Sequence, residues 1–138
     1  MLRILLLAAC LCVVSVAGEC AESKVDGAFI GDGTYSPTTG CKKLIDIESG
    51  KAAPNISTYP LKLTRQGTRS WEGSCSFETV RETAPNTFEA KMQCSEGAEE
   101  YDETVTFTRL DADRIKVASG DDALVYERCK GLKGTVDR

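Results

Sequence analysis

From Trp71 to Arg81 apolar and polar residues alternate, with Trp71, Cys75 and Phe77 on odd positions and Glu72, Ser74, Ser76 and Glu78 on even ones. A period of two is the signature of a half-buried antiparallel strand. From Thr87 to Cys94 the apolar set moves to even positions: Phe88, Ala90, Met92 and Cys94. Between the two runs lies Ala84-Pro85-Asn86, a turn signal, so the pair predicts a hairpin. If Cys75 faces Cys94, then Phe77 meets Met92, Thr79 meets Ala90 and Arg81 meets Phe88. Both apolar faces then coincide, and a slip of one residue would turn one of them to water. The same register brings two thiols within bridging reach and predicts a Cys75–Cys94 disulfide.

The C-terminal part continues in the same way. Tyr101 to Arg109 points Val105 and Phe107 inward and Thr104, Thr106 and Thr108 outward. After a turn at Leu110-Asp111-Ala112, Arg114 to Ala118 forms the next strand, Ser119-Gly120-Asp121-Asp122 a tight turn, and Ala123 to Cys129 the last strand. Ile115 then meets Tyr126, and Val117 meets Leu124. Towards the N-terminus the pattern is weaker. Asp32 to Ser36 predicts a short first strand. Cys41, Leu44, Ile45 and Glu48 have helical spacing, which predicts a helix from Cys41 to about Ser49, capped by Thr38 or Thr39 and ended by Gly50. Tyr59 to Arg65 alternates again, with Pro60 placing its start at an edge or sheet end.

These elements predict a mainly β fold: a small antiparallel barrel like those of the calycins, or a strongly curled sheet, of about six to eight strands with one short helix near the N-terminus. In a barrel the first and last strands are neighbours. Cys41 follows the first and Cys129 ends the last, so a Cys41–Cys129 bridge would tie the closure seam, contributing about 4 kcal/mol in the chain-entropy account.

The first residues change the arithmetic. Arg3 precedes an apolar run from Ile4 to Val14, and Ser15 and Ala17 precede Gly18 as small residues around a cleavage point. This reads as a secretory signal peptide, too short for a transmembrane helix of about 20 residues. Leu7-Ala8-Ala9-Cys10 imitates a lipoprotein box but would leave a very short leader. The expected organisation is a leader at 1–17, a flexible segment at 18–30, one barrel domain at 31–131 and a tail at 132–138. Cleavage removes Cys10 and Cys12 from the chain's 7 cysteines, leaving two expected disulfides and Cys20 as the odd thiol, either free or paired with a second chain. No CxxC spacing suggests zinc. An exported protein, periplasmic or secreted, follows.

Charge and composition remove function classes. The chain has Lys+Arg 17 against Asp+Glu 21, a net charge of -4, and no clustered basic run, which argues against nucleic acid and against an anionic membrane surface. It has no histidine, so serine and cysteine triads and imidazole metal sites are unavailable. Ser70, Ser74 and Ser76 have no evident base beside them, and no catalytic residue, metal or cofactor is expected. The acidic run Glu96, Glu99, Glu100, Asp102 and Glu103 lacks the spacing of a calcium loop and reads as a solvated hairpin end. Asp111, Asp113, Asp121 and Asp122 read as turn residues. Trp71, the single tryptophan, is expected to begin a barrel strand; the likeness to calycins implies that it plugs one end of the core, with ligand stacking as its second reading. Asn55-Ile56-Ser57 fits the N-glycosylation pattern and is assigned no role.

In Gly33-Thr34-Tyr35, Gly40-Cys41-Lys42-Lys43-Leu44, Trp71 to Phe77 and Tyr126-Glu127-Arg128-Cys129 the chain resembles small exported proteins of Gram-negative bacteria without an assigned function. The resemblance implies a compartment and a fold. In Ala118-Ser119-Gly120 and Lys130-Gly131 it more weakly resembles the membrane-bound and periplasmic inhibitors of c-type lysozyme. Those are disulfide-tied barrels in which a Ser-Gly-x-x-Tyr loop enters the lysozyme cleft; here Tyr126 follows Gly120 at a longer spacing. The expected function is therefore a non-catalytic exported binding protein. In one version it presents Ser119, Gly120, Asp121 and Asp122, together with the Glu96–Glu103 segment, to a protein partner as an inhibitor or docking module. In another it holds a small apolar ligand in a cavity lined by Trp71, Phe77, Met92, Phe107 and Tyr126. Lysozyme inhibition is the third reading.

Overall fold

The computed structural model of the chain describes residues 26–132. The leader at 1–17, Cys20 and nearly all of the tail lie outside the described residues. Eight strands form a closed antiparallel barrel: β1 (Tyr35–Pro37), β2 (Lys62–Thr64), β3 (Gly67–Arg69), β4 (Gly73–Ala84), β5 (Thr87–Glu96), β6 (Glu99–Arg109), β7 (Arg114–Ser119) and β8 (Asp122–Arg128). Each strand pairs with the next, and β8 closes onto β1 through Tyr35 opposite Arg128, Ser36 opposite Glu127 and Pro37 opposite Tyr126. Closure leaves no sheet edge exposed for foreign pairing.

Alternation builds the wall. On β6, Val105 and Phe107 face the core; on β5, Ala90, Met92 and Cys94 do. Ile115 faces Tyr126 and Val117 faces Leu124 on β7 and β8, as the periodicity predicts. In the β4–β5 hairpin Cys75 opposes Cys94 and Phe77 opposes Met92, and the Cys75–Cys94 disulfide is formed. The predicted register fails beyond that point. Thr79 opposes Lys91, Val80 opposes Ala90, Arg81 opposes Glu89 and Glu82 opposes Phe88, because the ladder shifts between Phe77 and Thr79. A bulge adds the bend and twist that a 12-residue strand needs to wrap a small barrel, and it swaps which parity points inward. Val80 consequently takes the core position expected for Thr79. The turn that follows uses Pro85 and Asn86, the latter at φ 59, a conformation asparagine tolerates.

The N-terminal half differs more from expectation. The first strand lies at Tyr35–Pro37 rather than Asp32–Ser36, and the predicted Tyr59–Arg65 strand shrinks to Lys62–Thr64 behind a 3-10 turn at Ile56–Thr58. The three-residue β3 is not visible in the pattern at all. It is held close to β4 by Gly67, at φ +138, where a Cβ would lie 1.8 Å from the carbonyl oxygen of Cys75. Only glycine allows that approach.

Helix α1 (Gly40–Glu48) forms where predicted, with Leu44 buried and Thr39 at its N-cap; the threonine side chain makes no capping bond. It covers the outside of β1, where Ser36 donates to the Leu61 carbonyl at 2.7 Å. The Cys41–Cys129 disulfide fastens the helix to the residue after β8, across the closure seam.

Candidate functional site at the barrel mouth

The two ends of the barrel are built differently. One is sealed by a segment expected to be flexible. Ala28–Ile30 forms a 3-10 turn that enters the barrel, and Ile30 is completely buried. The Phe29 ring stacks on Phe88 at 4.6 Å between centroids and meets Phe77 at 5.6 Å and Phe107 at 5.4 Å edge-on. The Arg109 guanidinium donates to the carbonyls of both Phe29 and Ile30. Gly27 permits the entry, since a Cβ there would meet the Phe77 ring at 2.4 Å. Phe77 and Phe107, expected to line a cavity, are therefore packed against this aromatic plug. Dispersion and edge-to-face ring contacts hold them better than an open ligand space would.

The other end is open. The β3–β4 connection, the β5–β6 hairpin and the β7–β8 turn surround a cavity of about 320 Å³, at the small end of ligand-site sizes. Met92, Val105 and Tyr126 line it, as does Cys75, which is bridged to Cys94. Leu61, Tyr101 and Leu124 also line it while remaining 39%, 45% and 52% exposed. Of the five residues expected to form a cavity, two do so, Met92 and Tyr126. Trp71 does not: β4 begins only at Gly73, and the indole stands 48% exposed, edge-on to Tyr59 at 5.6 Å. The aromatic plug has taken the end-sealing role expected of it. Ser119 and Asp122 line the cavity, with Gly120 and Asp121 between them in the turn, so the expected partner loop and the end of the acidic hairpin meet at one mouth.

One member of the acidic run is partly withdrawn from solvent. Glu103 shares strand parity with Val105 and Phe107, lines the cavity and is half-buried, whereas Glu99, Glu100 and Asp102 are exposed. Its Oε1 accepts the Ser119 hydroxyl proton. Its Oε2 lies 3.8 Å from Cys94 Sγ, which is oxidised and carries no hydrogen to donate. Parity alone points to Glu103 in the sequence; grouping it with its acidic neighbours hides it. Tyr126 is 4% exposed; among the described residues its hydroxyl has no hydrogen-bond partner, and that oxygen is the part left accessible to solvent. Burial, and then the charge of Glu103, push its phenol above the ordinary value. Among the described residues, the cysteine and carboxylate group close enough to hold a metal is Cys75, Cys94 and Glu103; with its sulfurs bonded to each other it offers one carboxylate. The acids lining the mouth are Glu96, Glu103 and Asp122, and no Lys or Arg is among the described residues that line it. No protein-family model, curated protein or solved structure matches the chain.

Proposed function

We propose that this chain is a non-catalytic exported binding protein and that the open mouth of its barrel docks on a partner protein. The observation that carries this reading is the asymmetry of the two ends. Leu61, Tyr101 and Leu124 stand exposed around the mouth cavity, while the opposite end is sealed by its own aromatic side chains. Exposed aromatic and aliphatic side chains gathered around a depression are what an interface core is made from. Export is supported by the leader pattern and by two disulfides, which persist in oxidising compartments. Among the described residues no helix is long and apolar enough to cross a membrane.

Carriage of a purely apolar ligand fits less well, because Ser70, Ser74, Ser95 and three carboxylates share the lining with the apolar groups. Inhibition of a c-type lysozyme is one form of the docking reading. A micromolar excess of the purified protein that leaves such an enzyme fully active removes that form alone.

The docking reading is tested by placing a photo-crosslinking phenylalanine analogue at position 124 on the mouth, or at position 110 near the closed end, in the exported protein. Leu110 is similarly exposed, at 45%. Discrete protein adducts from 124 and none from 110 are expected. Adducts equally abundant from both positions, or from neither, refute it.

A further inference from the structure

We propose that the mouth is a receptor for an organic cation: the Glu103 carboxylate takes an ammonium or guanidinium group, and the Tyr126 hydroxyl accepts one of its hydrogens. The apolar stem of the cation lies against Tyr101, Val117 and Leu124. The inference rests on the docking reading and names its chemistry, a lysine or arginine side chain projecting from the partner.

Three observations carry it. Glu103 is recessed in the cavity with Oε1 satisfied by Ser119 and Oε2 against the disulfide, receiving no hydrogen bond from the described residues. Glu103 is half-buried, and the lining supplies no cation to pair with it. Tyr126 is almost fully buried as a residue, but its hydroxyl oxygen, with no partner among the described residues, remains accessible to solvent. The hydroxyl's lone pairs are free for a donor that enters the cavity. Beside its serines the wall carries Tyr101, Val105, Val117 and Leu124. One recessed carboxylate falls well short of the six to eight oxygens a calcium ion takes. A cation on a hydrocarbon stem fits instead, since its charge pairs with the acid and its stem and the tyrosine rings replace water.

The test uses the full mature protein and follows the methyl NMR signals of Met92, Val105, Val117 and Leu124. The probes are n-butylammonium, Nα-acetyl-lysine methylamide and the neutral 1-pentanol. Both cations should shift these methyls saturably and 1-pentanol should not. Glu103→Gln should weaken the cations roughly tenfold or more, the loss expected for a charged hydrogen bond. Equal binding of 1-pentanol, or unchanged binding to Glu103→Gln, overturns the proposal. The comparison of cation with alcohol uses the unmodified protein, so it decides the question even if the variant fails to fold. Butylammonium binding without the lysine derivative would overturn the partner side chain as source and leave a free amine. Crosslinks from position 124 with no preference for cations would overturn this proposal and leave the docking reading standing.

Discussion

Tyr126 shares the wall of the mouth cavity with Glu103, and its phenol titrates above the ordinary value because burial and then the neighbouring carboxylate disfavour the phenolate. The folded protein therefore holds that proton more tightly than the unfolded chain, whose tyrosine titrates near 10. The stabilisation is complete below that pH and is lost as pH rises through the folded value. Denaturant midpoints measured across the alkaline range should fall with pH, and fall less steeply in Tyr126→Phe. That substitution removes a hydroxyl with no partner among the described residues, so at neutral pH it should change stability by about 1 kcal/mol or less. The same alkaline slope in both proteins would locate the proton loss elsewhere. Glu103 was legible at this scale, because it sits two residues before Val105 on one strand face; its place in an acidic run disguises it.

At the level of elements, legibility follows length. β4 to β8 are long enough for alternation to repeat, and two strands patterned independently can agree on one register, as around Cys75–Cys94 and Ile115–Tyr126. The bulge after Phe77 escapes, because a parity switch inside one strand looks like an ordinary polar residue at Glu78. β1, β2 and β3 have three residues each, too few for a period of two to stand out. The plug is hidden for another reason. Gly27-Ala28-Phe29-Ile30-Gly31 has no period, and its fixed position comes from distant groups, above all the Arg109 guanidinium on two of its carbonyls. Arg109→Met should therefore keep much of the stem's packing while losing charged hydrogen bonds, costing about 2–3 kcal/mol. Hydrogen exchange should accelerate at residues 28–31 with β5 and β6 still protected. Unchanged exchange at 28–31 would show that aromatic packing alone holds the plug.

For the whole molecule the weak point is closure. The long hairpins β4–β5 and β5–β6 join neighbours in sequence and form from local contacts, whereas β1 must find β8 across the chain, and β1 meets β2 only at Tyr35 opposite Leu63. Ordering so distant a pair costs chain entropy before any contact returns it. The Cys41–Cys129 bridge joins positions separated by 88 residues and the Cys75–Cys94 bridge positions separated by 19. In the chain-entropy model these loops correspond to about 4.5 and about 3 kcal/mol. Against the 5–15 kcal/mol typical of a domain, loss of the longer bridge removes a large share of the stability. The two bridges should also fail in different places. With Cys20 replaced by serine throughout to prevent thiol exchange, Cys41→Ala/Cys129→Ala should lower the denaturant midpoint more than Cys75→Ala/Cys94→Ala. It should raise hydrogen exchange first in α1, β1 and β2, with β4 to β6 still protected. Cys75→Ala/Cys94→Ala should instead loosen the mouth-side halves of β4 and β5 and leave the seam closed. Equal midpoint losses with uniform exchange in both proteins would mean that the barrel opens as one cooperative unit rather than along its closure seam.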